Sequence, residues 1–156
     1  MNKKLDIILP AHNEYGNIKP IYNEIKEALG NTQYDYTILF VDDGSKDDTL
    51  VQIKELASLD SRVKYIELSR NFGHQAAITA GIKHAKGDAV VVMDGDLQDP
   101  PEEIPALYAK AREGYDIVFG RKPTRQHSFF KRMTSRLFTR ALGFLMGEKL
   151  DNAVRS

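Results

Sequence analysis

Short apolar runs separated by polar breaks recur along the chain. Segments rich in Ile, Val, Leu and Phe occupy Leu5–Leu9, Tyr36–Val41, Val63–Leu68, Ala89–Met93 and Asp116–Phe119. Each is short and closed by polar or turn residues, the pattern of a strand buried in a sheet. Between them the apolar residues return at helical spacing: Ile18, Ile21, Ile25 and Leu29; Leu50, Ile53 and Leu56; Ala76, Ala77, Ala80 and His84; Ile104, Leu107 and Ala111. The order β-α-β-α-β-α-β-α-β predicts an α/β fold, a mostly parallel sheet flanked by helices with right-handed crossovers.

In such sheets ligands bind at the carboxyl ends of the strands, and the polar residues gather there. The five predicted strands run into Pro10-Ala11-His12-Asn13-Glu14, Asp42-Asp43-Gly44-Ser45, Ser69-Arg70-Asn71-Phe72-Gly73-His74, Asp94-Gly95-Asp96-Leu97-Gln98-Asp99 and Gly120-Arg121. Any one of these could be ordinary turn chemistry. Five together predict one polar rim.

Composition narrows the setting. At 156 residues the chain has the size of one domain with a sizeable core. The absence of cysteine excludes disulfides and thiolate metal sites. The first apolar run is too short for a secretory signal, and nothing approaches the roughly 18 apolar residues of a membrane span, so this piece by itself reads as soluble or peripheral. The net charge of +0 conceals a split. Residues 1–120 carry 13 Lys+Arg against 20 Asp+Glu, whereas residues 121–147 carry seven Lys+Arg and no acid. A solvated helix face normally mixes both signs, so the basic stretch calls for an anionic partner such as phosphate or a membrane surface.

Asp94 and Asp96 follow a strand, with Gly95 between them leaving the backbone uncrowded. Two carboxylates there form a hard-oxygen site suited to Mg²⁺ or Mn²⁺, whose shell waters and ligand phosphates complete. Such an ion would neutralise and orient a diphosphate leaving group. The P-loop, the dinucleotide fingerprint, H-E-x-x-H and G-x-S-x-G are all absent. The four histidines, His12, His74, His84 and His127, are scattered, and His84 reads as plain helix. His74 reads as a capping or packing residue at a helix start, with ligand contact the second reading.

The ordered strings P-A-H-N-E, V-D-D-G-S, S-R-N-F-G-H-Q-A-A, M-D-G-D-L-Q-D-P-P-E and F-G-R, spread over residues 5 to 121, resemble family 2 of the inverting glycosyltransferases with a Rossmann-like GT-A fold. More narrowly they resemble the polyprenyl-phosphate sugar transferases, the group of dolichol-phosphate mannosyltransferase and the bactoprenol glucosyltransferases. The resemblance implies that Pro10, Ala11, Asn13 and Glu14 line the nucleotide, that Asp42 and Asp43 lie near base and ribose, and that Asn71 and Gly73 close over the nucleoside. Asp94 and Gly95 complete the donor-lining set. By the same resemblance Asp94 and Asp96 form the D-x-D motif, Gln98 joins them at the metal, and Arg121 stands near the phosphates, so that Asp94, Asp96, Gln98 and Arg121 carry the catalytic chemistry. Asp99 would be the nearest base for a hydroxyl acceptor, but reads as a plain turn residue.

Residues 1–121 are therefore expected to form the nucleotide-sugar-binding core. Residues 122–156 are expected to hold a basic amphipathic helix and the start of an acceptor-side region that continues beyond this chain. Between Ser128 and Met146 the helical side bearing Phe130, Met133, Leu137, Phe138, Ala141, Leu142 and Leu145, beside Lys131, Arg132, Arg136 and Arg140, suits either packing on the core or an anionic leaflet. The expected reaction moves a hexose-type sugar from a nucleotide diphosphate, UDP-glucose-like or GDP-mannose-like, to polyprenyl phosphate at the cytoplasmic face of the membrane. No nucleic-acid partner is expected. Two rivals stand beside this reading: a GT-A enzyme with a glycan or protein hydroxyl acceptor, and a non-catalytic nucleotide-binding module.

Overall fold

The computed structural model describes residues 4–95 and 99–120. Asp96, Gln98 and Arg121, and the basic amphipathic segment, lie outside the described residues. The described elements all fall in one compact unit, Met1–Phe119.

Four strands, β1 (Lys4–Ala11), β2 (Asp35–Asp42), β3 (Val63–Glu67) and β4 (Ala89–Val92), form one parallel sheet in the order β3-β2-β1-β4. Helices α1 (Tyr15–Gly30), α2 (Thr49–Leu59) and α3 (His74–His84) alternate with them, and a 3₁₀ turn at Pro101–Glu103 leads into α4 (Ile104–Arg112). The GT-A arrangement anticipated from the chain is the one observed.

Alternation along the strands sorts the core into two layers. Leu5, Ile7 and Leu9 of β1 join Tyr36, Ile38 and Phe40 of β2 in a large cluster with Ile18, Ile21 and Ile25 of α1 and Ile53 of α2. Ile8, Leu39 and Val41, on the other face, pack with Ala77 of α3. This α3 layer is thin because the helix lies close: a Cβ on Gly81 would stand 2.5 Å from Ile8 Cγ2. Full burial of an Ile or Leu side chain contributes about 1.5–3 kcal/mol, so β1, buried on both faces, anchors the domain.

The fifth predicted strand is not formed. Asp116–Phe119 follows α4 without pairing, and Ile117 and Phe119 are 73% and 87% exposed. A short apolar run states what a strand would bury, but a strand also needs a neighbour whose N–H and C=O groups it satisfies. Among the described residues none pairs with the outer edge of the four-residue β4.

Candidate functional site

The chain runs β1, β2, β3 in one direction across the sheet and then returns to place β4 on the other side of β1. The helices that follow β1 and β3 therefore pack on opposite faces, α1 on one and α3 on the other, and a crevice opens at the carboxyl ends of β1 and β4. A cleft of about 360 Å³ lies there, lined by Pro10, Ala11, His12, Glu14, Asp43, Asn71, Gly73, His74, Ala77, Asp94 and Gly95.

The first two loops are stitched together. Asn13 holds a left-handed conformation, φ 56°, tolerated because its short amide can bond locally. Its Oδ1 accepts from Lys46 N at 2.8 Å, and its own N–H donates to Ser45 Oγ at 3.0 Å. Glu14 N donates to Thr49 Oγ1 at 2.8 Å. His12 Nδ1 lies 2.8 Å from the Asp43 carbonyl oxygen and must donate to it. Its Nε2 then accepts from Asn13 Nδ2 at 3.1 Å, so both ring nitrogens are engaged.

The second loop holds the third. Asp43 is 3% exposed, and its two carboxylate oxygens accept the N–H groups of Phe72 at 2.7 Å and Gly73 at 2.8 Å. Gly44, at φ 64°, lets the two backbones meet: a Cβ there would lie 2.4 Å from the carbonyl carbon of Arg70. Asp42 points away from the cleft into the fold, where its Oδ2 accepts from Ser45 N at 3.2 Å.

At the fourth strand end, Met93 N bonds Ile8 O at 3.2 Å, and Asp99 folds back so that its Oδ2 accepts from Asp94 N at 3.3 Å. Asp99 thus closes a turn. The Asp94 side chain is half exposed, with Oδ1 3.4 Å from His74 Nε2.

Of the ten predicted donor-lining residues, eight are brought together here: Pro10, Ala11, Glu14, Asp43, Asn71, Gly73, Asp94 and Gly95. Asn13 and Asp42 are not on the cleft wall and instead tie loops together. His12 and His74, outside the predicted donor-lining set, also line the cleft. No side-chain hydrogen bond caps α3, whose N-cap is Gly73, so His74 is not a capping residue. The available signal was position, since one directly follows the end of β1 and the other opens the helix after β3.

The cleft is acidic. Among the described residues Glu14, Asp43 and Asp94 line it and no Lys or Arg does, and the nearby Arg70 guanidinium stacks on the Phe72 ring at 4.6 Å. A polyanion entering such a site meets repulsion unless a cation accompanies it. The donor set fits a hard divalent ion that takes one or two carboxylates and fills its shell with phosphates and water. No group of three or more His, Asp or Glu side chains capable of holding an ion occurs among the described residues, and a cage of that kind is not what such an ion needs.

An open parallel sheet with a polar cleft at its switch point is an α/β architecture of the GT-A type. The chain belongs to glycosyl transferase family 2, whose model matches residues 6–154. It is 46% identical over 137 residues to the Bacillus subtilis glycosyltransferase YkcC, covering 87% of this chain and 42% of that protein. It is 40% identical over 151 residues to the undecaprenyl-phosphate 4-deoxy-4-formamido-L-arabinose transferase of Klebsiella pneumoniae, covering 94% and 46%. The chain thus spans less than half the length of these curated relatives. Among solved structures, S. aureus TarS 1-349 in complex with UDP-GlcNAc superposes with a TM-score of 0.58 at 25% identity, over 78% of this chain and 37% of that one. The fold is shared too with the Pyrobaculum calidifontis mannosyltransferase PcManGT, solved with GDP-Man and Mn²⁺, at TM-score 0.59 and 23% identity over 70% and 32%. No helix among the described residues is long and apolar enough to cross a membrane.

Proposed function

We propose that this chain is the donor-binding part of a metal-dependent, inverting glycosyltransferase that moves a hexose-type sugar from a nucleoside diphosphate to polyprenyl phosphate at the cytoplasmic membrane face. The observation that carries the reading is the switch-point cleft whose lining, among the described residues, is acidic and free of Lys and Arg. Such a site suits a diphosphate that arrives with a divalent cation and not a bare anion. The name of the Klebsiella pneumoniae relative supports the lipid acceptor.

Asp94 would hold the ion, joined by Asp96 and Gln98, and the bound Mg²⁺ or Mn²⁺ would supply charge neutralisation of the leaving diphosphate. Pro10, Ala11, Glu14, Asn71 and Gly73 would wall the space for the nucleoside. A lipid monophosphate needs little help from a base, because its second pKa lies near 6 and it is largely ionised at neutral pH. Orientation and charge are then the main contributions of the protein. The Asp99 carboxylate, which accepts from Asp94 N, serves the turn and not the acceptor. Arg121 and the basic stretch that follows would offer positive charge to the two anionic substrates.

Calorimetric titration of the chain with UDP, GDP and their sugar conjugates, with and without Mn²⁺, tests this. One nucleotide should bind in a Mn²⁺-dependent way, and Asp94→Ala or Asp96→Ala should abolish that dependence. Binding to a folded sample that ignores both metal and mutation would leave a plain nucleotide-binding module; no binding at all would overturn the donor site.

A further inference from the structure

Three side chains in the cleft could meet a carboxylate through N–H groups: His12, Asn71 and His74. His12 has both ring nitrogens occupied by Asp43 O and Asn13 Nδ2. Asn71 turns its Oδ1 toward Gly73 N, 2.9 Å away. His74 alone faces Asp94, its Nε2 3.4 Å from Oδ1. That distance is within ion-pair range and long for a hydrogen bond, as site contacts often are before a ligand arrives.

We propose that His74 is a positioning residue for Asp94: its Nε2–H holds Oδ1, turning Oδ2 toward the space where the cation and diphosphate would sit. The inference rests on the metal reading above and adds a residue to it. Each half of the pair is itself fixed. His74 opens α3 directly after Gly73, whose N–H is held by the buried Asp43 carboxylate at 2.8 Å. The helix cannot shift easily, because Gly81 seats it against Ile8 and Val41. Asp94 is held from behind by Asp99, which accepts its N–H, and by the bond from Met93 N to Ile8 O just before it. The end of β2 thus orients a carboxylate at the end of β4, through the loop after β3. Groups that hold a ligating carboxylate or imidazole from behind commonly change metal affinity by about 10–100-fold when removed.

The test uses the chain with MnCl₂ and whichever of UDP or GDP it binds. Relative to wild type, His74→Ala should weaken the apparent Mn²⁺ affinity by about tenfold or more, with the thermal midpoint and the metal-free nucleotide affinity unchanged. His74→Gln, which keeps an N–H donor at similar reach, should recover most of the loss. An unchanged Mn²⁺ affinity in His74→Ala overturns the proposal. So does an equal loss of metal-free nucleotide affinity, which would make His74 a direct ligand contact, and so does failure of Gln to rescue. If wild-type binding proves independent of Mn²⁺, the metal reading fails by itself, and the pairing is then read without metal. The imidazole ¹⁵N resonances of His74 should shift in Asp94→Ala, and unshifted resonances would overturn the pair.

Discussion

Asp43 offers the sharpest separation between a residue that touches a ligand and one that builds the place where ligands go. Its buried carboxylate accepts Phe72 N at 2.7 Å and Gly73 N at 2.8 Å. Hydrogen bonds to a charged group contribute about 1.5–3 kcal/mol each. Two intact bonds would put the cost of Asp43→Ala at roughly 3–6 kcal/mol, but two facts lower it. Gly73 N keeps a second acceptor in Asn71 Oδ1 at 2.9 Å, and Phe72 is half exposed, so its N–H can rehydrate. The expected loss is about 2–3 kcal/mol for Ala and about half that for Asn, which retains one acceptor oxygen. For a chain of this size that corresponds to a fall in Tm of very roughly 5–10 °C for the Ala variant. Urea denaturation of both variants, alongside nucleotide titration, makes the measurement. If Asp43 served chiefly the ribose, affinity would fall while stability held; a loss under about 0.5 kcal/mol in Asp43→Ala would refute the staple assignment.

Gly44→Ala combines a left-handed φ of 64° with a Cβ 2.4 Å from the backbone of Arg70. The conformation alone costs about 1–2 kcal/mol and displacing backbone adds more, so urea denaturation should show it at least as destabilised as Asp43→Ala, with weakened nucleotide binding; near-wild-type stability would contradict the packing. On the opposite end of the sheet, the Arg62 guanidinium grips Asp60 at 3.0 and 2.8 Å with help from Tyr22 Oη at 2.9 Å, and these bonds hold the Asp60 carboxyl well below the usual carboxylate range. A lowered folded-state pKa contributes stability that is complete above the unfolded value near 3.9 and is lost progressively as pH falls. Asp60→Asn should therefore cost about 1 kcal/mol at pH 7, and the gap to wild type should narrow between pH 4 and pH 2. A gap that stays constant over that range would remove the carboxylate from the account.

Periodicity carried the element order as far as β4 because each of those strands has a covered face to report. β1 is the plainest case: Leu5, Ile7 and Leu9 serve one layer and Ile8 the other, and a near-continuous apolar run is what two-sided burial requires. The same reasoning failed at Asp116–Phe119, a short apolar run whose neighbour is missing among the described residues. Strand ends were legible as a rim, whereas the direction of each side chain was not. Asp42 and Asp43 are adjacent in sequence and point to opposite sides, one into the fold and one onto the cleft wall. Asn13 was equally opaque, since its value lies in a left-handed φ and a bond to Lys46 N that no spacing rule reveals. His74 became interpretable only when the sheet order placed the loop after β3 opposite the loop after β4.

On the proposed reading the cleft takes a diphosphate against an acidic wall, where a basic one would be the ordinary arrangement. Asp43 is there for the fold, and Glu14 and Asp94 share its wall. A lining of Lys and Arg would attract any phosphate, mono or di, with or without metal. On the reading proposed, an acidic lining reverses the preference: free phosphates are repelled, and the species that gains is one whose adjacent phosphates chelate a divalent cation and so bring the countercharge with them. Discrimination then comes from an introduced repulsion as much as from attraction. On that same reading the division of charge along the chain would follow the same logic, with 20 acidic residues in positions 1–120 and an acid-free run of seven Lys and Arg in 121–147. A donor that carries its own cation needs the first kind of surface, and an acceptor phosphate that does not needs the second.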